Sequence, residues 1–121
     1  METKQWHNRF TSRGKESWDV ERLIELAKDL PVVDVSLSEI HEFDEVYWFD
    51  AECRPTCRAV VEHARRIDAV DLAHPIVLSA TGVVMDGMHR VAKAHLLGHE
   101  TIRAVQFDRD PEPDRIEPEI R

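Results

Sequence analysis

Residues 74–107 constrain this chain most, because a β-branched run, an Asp-Gly turn, an amphipathic stretch and a second β-branched run follow one another almost without spacers. Pro75-Ile76-Val77-Leu78 reads as a strand, Ser79-Ala80-Thr81-Gly82 as a turn, and Val83-Val84-Met85 as the hairpin partner. Asp86-Gly87 then turns the chain into a helix with Val91, Ala92, His95 and Leu96 on one face and Gly98 placed as its C-terminal cap. Thr101 to Phe107 supplies a closing strand, in which Ile102, Ala104 and Gln106 face away from Arg103, Val105 and Phe107.

Upstream, Val20, Leu23, Ile24, Ala27 and Leu30 recur at the spacing of one helix face, with Ser17 as N-cap and Pro31 as the stop. Val32 to Leu37 is β-branched and predicts a strand that feeds a loop near Ile40 carrying His41-Glu42. The aromatic and acidic stretch Phe43 to Glu52 has no clean period and receives no assignment. Pro55 suits a first helical turn, and Cys57, Val60, Val61, Ala64 and Ile67 form one apolar stripe, so a second amphipathic helix is expected over about 55–68.

These elements divide the chain into an N-terminal arm (1–16) without sustained period, one domain (17–107), and an acidic, proline-rich tail (108–121) expected to be solvated. At 121 residues and 42% apolar the chain suits one domain with a small core. The expected fold class is α+β, a small mixed sheet flanked by helices.

The formal charge of -8, from 16 Lys and Arg against 24 Asp and Glu, is the wrong sign for tracking a phosphate backbone, so long nucleic acid is disfavoured as a partner. Part of the excess lies in the tail, which leaves room for a local basic pocket. No apolar run is long enough to span a membrane and no secretory leader pattern is present, so the expected location is the cytoplasm. Cys53 and Cys57 do not make a disulfide framework. With His41 and His63 they could be drawn as a zinc site, but no second ligand pair has finger-like spacing, and small buried thiols are common.

The chemistry concentrates at Asp86-Gly87-Met88-His89-Arg90. A helix N-terminus leaves backbone N–H groups unpaired and carries partial positive charge, so it attracts anions. Gly87 allows a positive φ and a close approach by a ligand. Arg90 offers a fork of donors matched to phosphate oxygens, and His89 adds one or two more. Asp86 can hold a metal ion, hold a ligand hydroxyl or orient His89. The bland reading of the same residues is a simple turn, an Arg90 ion pair and a His89 cap.

Taken together, Pro75-Ile76-Val77, then Gly82 through Ala94, then Leu97-Gly98 and Ile102 to Val105 resemble the ParB/sulfiredoxin superfamily, over about residues 32–107 and most strongly over 75–105. The resemblance implies a ParB/sulfiredoxin-like fold that binds nucleotide phosphates through this unit. Sulfiredoxins carry a catalytic Cys where this chain has Met88. Partition-type ParB proteins carry Gly-Glu-Arg-Arg, whereas this acidic chain has Gly87-Met88-His89-Arg90. The branch similar to free serine kinases, grouped with ParB-like nuclease domains, carries Asp-Gly-His-His-Arg and a His-Glu pair whose Glu is the catalytic base; the pattern here departs from it at Met88.

That branch implies a nucleotide-dependent phosphotransferase or NTPase acting on a small hydroxyl-bearing substrate, with ATP or ADP (CTP as a third option) and Mg²⁺. Glu42 would be the base and Asp86 a catalytic group holding Mg²⁺ or substrate. Gly87, Met88, His89 and Arg90 would bind the phosphates, with Thr56 as a further donor. The alternative from another class is a non-catalytic nucleotide-binding module that switches a protein complex or associates with DNA, as a monomer or a homodimer.

Overall fold

In the computed structural model, which describes residues 4–118, the chain is a small mixed α+β domain with two sheets and three α-helices. The four-stranded sheet is built from β3 (Val33–Ser36), β4 (Ile76–Leu78), β5 (Val84–Asp86) and β6 (Thr101–Gln106) in the order β3-β6-β4-β5. β6 runs antiparallel to β3 and parallel to β4, while β4 and β5 form the expected hairpin.

Alternation along these strands buries both faces of the sheet. Ile76, Leu78, Val84, Ile102 and Ala104 pack with Met88, Val91 and Ala94 of α3 (Met88–Leu96) and with Leu37 and Ile40. Val77, Met85, Val105 and Phe107 face the other way, onto Trp18 and onto Leu23 and Ala27 of α1 (Val20–Ala27). Near-continuous apolar strands such as Ile76-Val77-Leu78 follow from burial on two sides.

The segment expected to be an arm enters a second sheet, which reaches the second face of the first through Trp18. Trp6–Thr11 (β1) and Gly14–Asp19 (β2) form an antiparallel hairpin closed at Thr11↔Gly14. The tail expected to be solvated returns as β7 (Arg115–Glu117) and pairs with β2, giving a three-stranded sheet β1-β2-β7. Gly14 is the missed signal: its φ of +112° suits the hairpin turn, and a Cβ there would collide with the Glu117 carbonyl. The Trp18 indole N–H donates to the Pro111 carbonyl at 2.8 Å, and Asp114 accepts from the Asp19 amide. Residues 1–3 of the arm and 119–121 of the tail lie outside the described residues.

Two boundaries also move. Ser17 sits within β2 and bonds Asn8, so Asp19 is the N-cap of α1, accepting from the Glu21 amide. The helix ends at Ala27 rather than at Pro31. The second helix, α2 (Cys57–Ala69), is present, but its apolar stripe is not core: Val60 and Val61 are half exposed, and none of its residues is buried.

α2 is held to α3 chiefly by polar contacts. Lys93 donates to the Asp68 and Val70 carbonyls, each at 2.8 Å, at the C-terminal end of α2 where carbonyls lack helical partners. Between β3 and α2 the chain makes short 3-10 turns at Leu37–Glu39 and His41–Asp44 and then runs without regular structure to Thr56. No helix among the described residues is long and apolar enough to cross a membrane.

Candidate functional site

Asp86 ends β5, and Gly87 caps the N-terminus of α3 with φ +111°. No side chain caps this helix. The Gly87 carbonyl accepts from the amides of Arg90 and Val91 at 3.0 and 3.1 Å, while the first amides of the turn precede any intrahelical acceptor. A Cβ on residue 87 would lie 2.6 Å from Ile76 Cγ2 and 2.9 Å from Arg90 Nη2, so glycine is required by both backbone and space.

The N-terminus opens into a cleft of about 560 Å³ lined by Arg66, His74, His89 and Arg90 with Asp71 and Asp86. The side-chain charges nearly balance, so attraction for an anion comes from the helix end and from Arg66, which makes no ion pair among the described residues.

Arg90 does not project freely into this cleft. Its Nη2 donates to Asp86 Oδ2 at 2.8 Å, and its Nη1 donates to the carbonyls of His74 and Pro75, each at 3.1 Å. The side chains of Arg90 and Asp86 are only 14% and 17% exposed. The fork expected to grip phosphate therefore ties the β5–α3 corner to the loop before β4. Asp86 is likewise occupied, and among the described residues no three His, Cys, Asp or Glu side chains assemble as a metal site.

His89 lines the cleft and also bonds His63 of α2, Nε2 to Nδ1, at 2.8 Å. The rings are nearly coplanar, 15° apart with centroids 5.1 Å from each other, so they meet edge to edge. Trp48 stacks over both, 4.5 Å from each centroid, and Phe49 meets His63 edge-on. Burial, then the neighbouring His63 and the positive charge of Arg66, push His89 down to about 4, so it is neutral at pH 7. Sequence reasoning missed this pair, since nothing in local spacing brings position 63 to position 89.

The remaining predicted residues are placed apart from the cleft. Met88 is a core residue packed beneath α3, leaving only its backbone on the site side. Thr56 is the N-cap of α2, its hydroxyl accepting from the Ala59 amide at 3.1 Å. Glu42 accepts the Val84 amide of edge strand β5, and the Tyr47 hydroxyl donates to the Val84 carbonyl at 3.2 Å. Together they satisfy both backbone groups of Val84 on the open edge of the sheet.

Glu42 faces a separate cavity of about 650 Å³ with Glu39, His41, Glu45 and Thr81. The two acids still act on one group: burial and then the charges of Glu42 and Asp86 raise the Tyr47 phenol to about 12. Cys53 and Cys57 are free and exposed.

No protein-family model, curated protein or solved structure matches this chain.

Proposed function

We propose that this chain is a nucleotide-binding protein of the ParB/sulfiredoxin type that takes nucleotide phosphates at the N-terminus of α3. The observation that carries the reading is Gly87 at φ +111°, opening the first turn of α3 into a cleft that also holds Arg66, His74 and His89. The backbone amides and Arg66 are the phosphate donors. Arg90, Asp86 and Gly87 shape the turn, and Mg²⁺ arrives bound to the phosphates. ATP and ADP are the first ligands to test, with CTP beside them.

Binding is measured by titration calorimetry with ATP, ADP and CTP, each with and without Mg²⁺. The expected result is saturable binding that weakens at least tenfold in Arg66→Ala with the unfolding midpoint unchanged. Absence of saturable binding for all three nucleotides refutes the reading.

Phosphoryl transfer to a small hydroxyl-bearing substrate is the second reading, resting on the resemblance to free serine kinases and on Glu42 lining a cavity of about 650 Å³ that could admit such a substrate. It requires Glu42 to leave the Val84 amide, because a carboxylate base must reach the attacking hydroxyl. Nucleotide conversion with serine and other hydroxyl-bearing amino acids, followed by chromatography and lost in Glu42→Gln, supports transfer. Binding without conversion leaves a non-catalytic module.

A further inference from the structure

A second cleft, of about 400 Å³, adjoins the first. Its apolar lining comes from Ile24 and Ala27 of α1, from Val77 and Val105 of the sheet, which are buried with Ala27 in one core cluster, and from Val32 and Pro75. His74, Asp86 and Arg90 line both clefts, so the apolar slot and the helix N-terminus share one rim. Ile24 and Val32 are 49% and 46% exposed, leaving apolar surface in water at the slot mouth.

We propose that this slot takes the base of the nucleotide whose phosphates sit at α3, so that one ligand lies across the Arg90–Asp86 rim. The proposal rests on the nucleotide-binding reading above. A ligand that is flat and weakly polar at one end and anionic at the other matches the sequence of environments along the two clefts. A planar ring laid on Ile24 and Val32 at the mouth of the slot gains from apolar contact on one face.

The polar groups at the slot ends have matching uses. Asp86 can accept from an exocyclic amino group through the carboxylate oxygen that Arg90 does not hold, and Lys28, paired with the exposed Glu25, can turn a further N–H to a ring nitrogen or carbonyl. The phosphoryl acceptor of the second reading fits less well here, since a small hydroxyl-bearing molecule would leave these apolar walls uncovered. The locked guanidinium gains a purpose in this arrangement. Held by Asp86 and two carbonyls, Arg90 forms a fixed partition between base and phosphates.

The experiment compares ATP with inorganic tripolyphosphate, which carries the anionic part alone, on the wild-type chain and on Arg66→Ala, Val32→Trp and Ile24→Gln. Val32 and Ile24 are half exposed, so both slot variants are expected to fold, checked by near-ultraviolet circular dichroism. Wild-type protein should bind ATP at least tenfold more tightly than tripolyphosphate. Val32→Trp, which fills the slot, should remove that advantage while changing tripolyphosphate affinity less than twofold, and Ile24→Gln should reduce it in part.

Arg66→Ala should weaken both ligands. Equal affinity for ATP and tripolyphosphate in the wild type, or an unchanged ATP advantage in Val32→Trp, overturns the base slot and leaves the phosphate site standing. Failure of both ligands to bind overturns the phosphate site and the slot together.

Discussion

Arg90→Ala separates scaffold from ligand donor at this site. The guanidinium makes three contacts at 2.8 to 3.1 Å, one to a carboxylate and two to carbonyls, from a side chain 14% exposed. Breaking a fully buried ion pair from one side costs about 3–5 kcal/mol, whereas exposed pairs contribute about 0–1 kcal/mol. The Arg90–Asp86 pair lies between these limits and nearer the buried one, so about 2 kcal/mol is assigned to stranding Asp86. Two carbonyls losing a charged donor add about 1 kcal/mol.

The expected loss is therefore about 3 kcal/mol, or roughly 1.5–2 M in the urea midpoint for a slope near 1.5–2 kcal/mol/M. Arg90→Lys should fall between, since a single ammonium cannot replace the fork. A double-mutant cycle with Asp86→Ala should return a coupling of about 1–2 kcal/mol. Chemical denaturation at pH 7.5 reads the wild type and the four variants. A loss below about 0.5 kcal/mol for Arg90→Ala would refute the structural role and return Arg90 to the free phosphate fork that the sequence alone suggested.

Glu42→Ala strands the Val84 amide on the edge of β5 and should cost about 1–2 kcal/mol in urea denaturation, with Glu42→Gln costing less because its carbonyl still accepts; equal stability of Glu42→Ala and wild type would show that the carboxylate has no structural task. Gly87→Ala forces a Cβ against Ile76 and Arg90 at positive φ and should cost at least about 2 kcal/mol; a midpoint within error of wild type would contradict the turn geometry. His7 and His89 are both depressed to about 4, chiefly by burial, against an unfolded value near 6.5. Between those values the unfolded chain binds protons that the folded chain refuses, so stability should be level above pH 6.5 and fall as pH drops toward 4. Urea midpoints at pH 7.5, 6 and 5, with the His7 and His89 imidazole signals followed by NMR, check this, and titration of those two residues near 6.5 in the folded protein would refute it.

Much of the second half was legible in advance because its signals are local. The alternation of β4 to β6 and the Asp-Gly corner concern residues a few positions apart, and the structure places those elements at nearly the expected bounds. The face of α3 differs from the expected Val91, Ala92, His95 and Leu96: Met88, Val91 and Ala94 are buried and Leu96 is 78% exposed. The candidate site was legible as a position, the N-terminus of α3, but not as a set of roles. Met88 belongs to the core and Thr56 to a helix cap, since which side of a turn each side chain faces depends on what packs beneath it. Val60 and Val61 show the converse: a correct amphipathic period over α2 did not say whether anything would cover it.

By itself, the sequence determined that residues 74–107 form a hairpin, a glycine-capped helix and a closing strand, because φ/ψ preference and side-chain period act within a few residues. Only the tertiary structure decided that β1, β2 and β7 join in a second sheet, with Ser17 pairing to Arg115 and Trp18 packing on the second face of the first sheet. It also decided that Arg90 answers to Asp86 and two carbonyls, Glu42 to Val84, and His89 to His63. A polar side chain takes whichever unpaired group the packed backbone leaves within reach, and that group is fixed by contacts across the fold rather than by its neighbours in the chain.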